Sequence, residues 1–163
     1  MFDIYLYFCT SKTYRMSYNV QDIANKIILK TDAEKGDIIS NLKLQKLLYY
    51  VQGYHLAFFN SEIFDNPLEA WMYGPVVPAV YRRFKTFGHS ALTLDPNTTE
   101  IELGADAEDL INQVLHEYGQ FSAVKLMEMT HNEPPWKEAF PQKDKTIKKE
   151  TMITYFKTMI DEN

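Results

Sequence analysis

The stretch from Asn41 to Phe59 constrains this chain more than any other. Leu44, Leu47, Leu48, Val51, Tyr54, His55 and Phe58 recur at helical spacing on one side. Lys46, Tyr49, Tyr50, Gly53 and Ala57 take the opposite side, again at spacings of three and four. A helix with apolar or aromatic groups on two sides needs neighbours on both, so it belongs at the centre of a helical domain. Gly53 costs such a helix about 1 kcal/mol against Ala, and its expected use is the close approach of a neighbouring backbone. His55, on the apolar side, reads as a hydrogen-bonded core histidine.

The remaining pattern supplies partners for that helix. Asn19 caps a helix carrying Val20, Ile23, Ala24, Ile27 and Ile28 inward and ending near Lys30. Leu68 to Tyr73 alternates as a strand and ends at Gly74-Pro75. Pro78 opens a helix to Phe87, stopped by Gly88. Ala91 to Leu94 and Glu100 to Leu103 alternate around Asp95-Pro96-Asn97 and predict a β-hairpin, joined by the 68–73 strand. Asp106 is expected to cap a helix ending at Gly119, and Ser122 a second one running to Thr130. Pro134-Pro135 breaks the chain, Trp136 opens a short turn, and Ile147 to Ile160 forms the last helix. The expected fold class is mainly α (α+β), a single compact helical domain with a small antiparallel β-element.

At 163 residues the chain can bury a real core, and 45% of it is hydrophobic. The net charge of −5 argues against bulk nucleic-acid binding, which rests on Lys and Arg neutralising phosphates. One cysteine, Cys9, forms no internal disulfide, as in a reducing cytoplasm. No apolar run is long enough to span a membrane. Met1 to Arg15 carries an acid where a secretory signal has its basic region. Because Met16 directly precedes the first helix signal, residues 1–15 read as an upstream extension or an ordered N-terminal arm, and residues 16–163 as the domain.

Signatures of catalysis are sparse. Glycines are scattered, no Gly-x-Ser-x-Gly elbow occurs, and His55, His89, His116 and His131 show no paired ligand spacing. Neither a metal, a cofactor nor a catalytic set is expected. The best acid–base candidate is His131-Asn132-Glu133, with Glu133 orienting the imidazole. The competing role for His131 is to cap the preceding helix and pack beside Trp136. Arg82, Arg83 and Lys85, with Lys46, form a candidate basic face. It reads as a solvated helix surface, a nucleic-acid site if aromatics such as Tyr49, Tyr50 or Tyr81 flank it, or a docking surface for an acidic partner.

Four segments taken together carry a resemblance. They are Leu44-Gln45-Lys46-Leu47-Leu48-Tyr49-Tyr50, and Glu69-Ala70-Trp71-x-x-Gly74-Pro75-Val76-Val77-Pro78-x-Val80-Tyr81. Then come Ser122-Ala123-x-x-Leu126, and Thr130-His131-x-Glu133-x-Pro135-Trp136-x-x-Ala139. In this order and spacing they resemble the Panacea domain family, phage-associated antitoxins of toxin–antitoxin pairs, over roughly Tyr18 to Phe140. The resemblance implies a cytoplasmic, non-enzymatic antitoxin that neutralises a protein toxin encoded by the adjacent gene through direct binding. The alternative is a phage-associated regulatory adaptor or nucleic-acid-binding protein using the Arg82, Arg83 and Lys85 face. Family members pair with unrelated toxins, so shared motif residues should hold the scaffold: Leu44, Gln45, Lys46, Leu47, Tyr49, Tyr50, Glu69, Trp71, Gly74, Pro75, Val76, Tyr81, His131, Pro135 and Trp136. Toxin contacts are expected on exposed positions, with Lys46, Tyr50, Arg82, Arg83, Lys85 and the lysines after Phe140 as candidates.

Overall fold

A computed structural model describes residues 17–31 and 39–161. The expectations for residues 1–15 lie outside the described residues. Seven α-helices and one two-stranded antiparallel sheet are found there.

Helix α1, Val20–Lys30, starts where Asn19 accepts from the Gln21 N–H at 2.9 Å, and buries Val20, Ile23, Ala24, Ile27 and Ile28. Helix α2, Asn41–Phe59, is capped by Ser40, whose hydroxyl accepts from the Lys43 N–H. Its first sixteen residues are buried apart from Leu42, and the other elements gather around it. Gly53 does mark a close approach, but not of backbone. A Cβ there would lie 2.1 Å from the Phe156 ring, which packs edge-on against Tyr49 and Tyr54.

Strands β1, Glu69–Trp71, and β2, Gly74–Val76, pair with Trp71 opposite Gly74 across the two-residue turn Met72-Tyr73. The outer edge of β1 is covered by the later chain. The Ala70 N–H donates to Lys145 O and the Ile147 N–H to Leu68 O, at 2.8 and 2.9 Å. Ile147 is therefore buried against β1, and α7, Lys149–Asp161, begins two residues later than its apolar pattern predicts.

Helix α3, Pro78–Phe84, tightens into a 3-10 turn, Lys85–Phe87, and stops at Gly88 with φ of 56°. The hairpin predicted for 91–103 does not form. The Asp95 turn exists, with Asp95 accepting from the Asn97 and Thr98 N–H groups, but the two arms do not pair. One arm bonds the chain just before α2, the Leu92 N–H donating to Ile39 O, and the other bonds α1, Glu100 accepting from Lys26 at 2.5 Å. Helix α4, Ala105–Tyr118, is capped by Gly104, not by Asp106, which sits in the first turn where its charge suits the helix dipole. Helix α5, Ala123–His131, is capped by Ser122 as expected. Pro134 and Pro135 do not break the chain; they occupy the first turn of α6, Pro134–Ala139, where their missing N–H groups cost nothing.

Candidate functional site

The hairpin is strapped onto α2 from below. Gln45 accepts from the Val77 N–H at 2.9 Å and donates to Asn41 Oδ1, while Asn41 donates to Tyr81 O. One residue along, the Lys46 Nζ donates to the Pro75 carbonyl oxygen at 2.8 Å. Lys46 is 0% exposed. Burial alone pushes its ammonium down from 10.5 to about 7. Gly74 makes room for this chain of contacts. Its φ is 98°, and a Cβ would fall 2.6 Å from Lys46 Cε and 2.8 Å from Thr130 Oγ1.

A carboxylate closes the other end of the network. Tyr49 and Tyr50 donate to the two Glu133 oxygens at 2.7 and 2.8 Å, and Tyr155 adds a third bond. Burial pushes the Glu133 carboxyl up to about 7, and the three tyrosine bonds only partly oppose it. Burial first, then the neighbouring carboxylate, raises the Tyr49 and Tyr50 hydroxyls well above their ordinary value. Tyr50 also stacks on Tyr118 at 3.8 Å between ring centroids.

Lys46 and Tyr50 thus lie inside the protein, at 0% and 1% exposure, and the expectation that they present an outward face is corrected. Elements pack on every side of α2, so it has no outer face for them to occupy. His131 and Glu133 do not form an acid–base pair, since both Glu133 oxygens are held by tyrosines of α2. The imidazole instead stacks on Trp136 at 4.1 Å, and Asn132, not His131, caps α5. Burial lowers the His131 pKa, the Lys46 charge adds to that, and a Met72 backbone hydrogen bond opposes it. His55 is the core histidine expected, with Nδ1 2.6 Å from Ser61 O.

Above the network lies a partly exposed aromatic surface. The Trp136 indole N–H donates to Trp71 O at 2.9 Å, and Trp136 stacks on Phe140. Trp71 donates to Glu69 and meets Tyr81 edge-on at 5.0 Å. Arg82, Arg83 and Lys85 are exposed beside it. Arg83 is engaged within the molecule, donating to Gln21 and lying over the Phe84 ring. Pattern reading missed Tyr155 and Asn41 as parts of the network, and it missed the exposure of Met72 and Tyr73. Glu133 stood in the motif, but nothing in its spacing pointed to tyrosines more than eighty residues away.

The motif residues scattered over the sequence converge on this one region. Residues 44–137 match the family model for the antitoxin SocA-like Panacea domain. The chain is 33% identical over 132 residues to Antitoxin SocA of Caulobacter vibrioides (strain NA1000 / CB15N), covering 74% of this chain and 69% of that protein. The chain belongs to the antitoxin SocA-like Panacea domain family. No solved structure matches it significantly.

Proposed function

We propose that this chain is an antitoxin, not an enzyme, that neutralises a protein toxin encoded beside it by binding that toxin directly in the cytoplasm. The observation that carries the reading is the internal satisfaction of the motif. Lys46, Tyr49, Tyr50 and Glu133, the groups with chemistry to offer, spend their hydrogen bonds on holding the hairpin, α2 and α6 together. Such a motif serves a scaffold, and a scaffold acts through its surface. Membership of an antitoxin family supports the same role. Among the described residues no helix is long and apolar enough to cross a membrane.

The test is expression of the neighbouring gene alone and together with this one. Growth arrest by the neighbour, relieved by co-expression, is the expected result, with the two proteins co-purifying. Equal arrest in both cases would sink the reading. A product formed by the isolated chain from any small molecule, and lost in His131→Ala, would overturn its non-enzymatic part.

A further inference from the structure

We propose that the tip of the β1–β2 hairpin, with the adjoining face of α3, is the docking surface for that toxin. The partner it fits is a protein whose surface carries an apolar recess rimmed by acidic residues. The proposal rests on the antitoxin reading and names the surface through which it would work.

The first argument is the turn itself. The left-handed backbone of this turn falls on Gly74, with φ of 98°, while Met72 and Tyr73 keep negative φ, so ordinary polar residues that prefer water would serve at both turn positions. Here the two positions hold Met72 and Tyr73, 68% and 62% exposed. Neither side chain is needed to make the turn, and both lose apolar contact by standing in solvent. Among the described residues Leu29 and Val124 are the other large hydrophobics so exposed, and those stand singly on helices. Two adjacent at a projecting tip form a plug.

The second argument is rigidity. The backbone on both sides of the tip is pinned: Trp71 O accepts from Trp136, Pro75 O from Lys46, and the Val77 N–H donates to Gln45. The Met72 backbone is also bonded to His131. A tip held this way loses little further freedom on binding, which leaves more of the contact energy for affinity.

The third argument is charge. Tyr81 touches Trp71 at the base of the tip and is followed by Arg82, with Lys85 one turn further on the same side. From Pro78 to Gly88 there are three cations and no acid, in a chain of net charge −5. With Arg83 bound to Gln21, the outward cations are Arg82 and Lys85, which form no ion pair among the described residues. An apolar plug flanked by aromatic rings and an exposed arginine has the composition of an interface hot spot, and its positive rim selects an acidic partner.

The experiment uses the purified full chain and the purified product of the neighbouring gene, with affinity measured by calorimetry at two salt concentrations. The double variant Met72→Ser/Tyr73→Ser should bind at least about thirtyfold more weakly with an unchanged melting temperature. Arg82→Glu should weaken binding further at low salt than at high salt. Val124→Ser, at an exposed position away from the tip, should bind as the parent does. A double variant that binds within about threefold of the parent overturns the docking surface while leaving the antitoxin reading intact. A parent chain that binds nothing sinks both. Self-association abolished by the double variant would assign the tip to a second copy of this chain. Salt-dependent RNA binding lost in Arg82→Glu, without protein binding, would assign the face to nucleic acid; either result overturns the proposal.

Discussion

The Trp136 indole nitrogen lies 2.9 Å from the carbonyl oxygen of Trp71, sixty-five residues earlier, and this bond ties α6 to the projecting hairpin. Trp136→Phe keeps the stack between His131 and Phe140 but loses the N–H, and should cost about 1 kcal/mol. Trp136→Ala removes the stack as well and should cost roughly 3 kcal/mol, toward the low end for aromatic truncations because the ring is only partly buried. Urea melts of the two variants check both values; no loss in Trp136→Phe would show that the hydrogen bond carries nothing, and equal losses that the stack carries nothing.

The buried pair of charges makes an unusual pH profile. Glu133 is raised from 4.5 to about 7 on folding, so its contribution is full below 4.5 and is lost as pH rises to about 7. At about 1.4 kcal/mol per pH unit, that loss amounts to roughly 3 kcal/mol. Lys46 is lowered from 10.5 to about 7, so its contribution is full above 10.5 and is lost as pH falls to about 7. Together they leave stability lowest near neutrality. In denaturant melts across pH, Glu133→Gln should remove the fall between pH 4.5 and 7, and Lys46→Met the rise above pH 7. Parallel profiles for variant and parent would refute the assignment.

Gly53 separates two opposing effects. Alanine would favour the helix by about 1 kcal/mol, yet its Cβ would sit 2.1 Å from a Phe156 ring wedged against Tyr49 and Tyr54. Overpacking of this kind costs about 1–3 kcal/mol, so Gly53→Ala should be destabilising on balance. Adding Phe156→Leu should recover part of the loss, measurable as coupling in a double-mutant cycle.

His131 is predicted to act through its stack on Trp136 and its bond to the Met72 backbone, not through proton transfer. Its Nε2 has no partner among the described residues, and its ring lies on Trp136. His131→Phe keeps the stack but loses the Met72 bond, and should cost about 1 kcal/mol; under the proposed antitoxin role it should still relieve growth arrest on co-expression. Loss of neutralisation in a fully folded variant would give His131 a role beyond the stack.

Much of the fold was legible because its signals are local. Asn19, Ser122, Gly88 and Gly119 end or begin helices through bonds within a turn of themselves, and each does so in the structure. The mainly helical character with a small antiparallel sheet followed from the same periodicities. Where two local readings were equally good, the choice failed. Alternation at 91–103 looks the same whether the arms pair with each other or lie across helices, and Asp106 looks the same as a cap or as a first-turn acid.

The sequence by itself determined that α2 is the central helix, because no other placement covers apolar groups on two sides. It also determined which motif residues belong to one family. Only the tertiary structure decided that Lys46 and Tyr50 are interior, that Glu133 serves tyrosines and not His131, and that Met72 and Tyr73 are left outside. Burial depends on how many elements surround a residue, and hydrogen-bond choice depends on distances across the fold. Neither quantity is written in the spacing of a single chain segment.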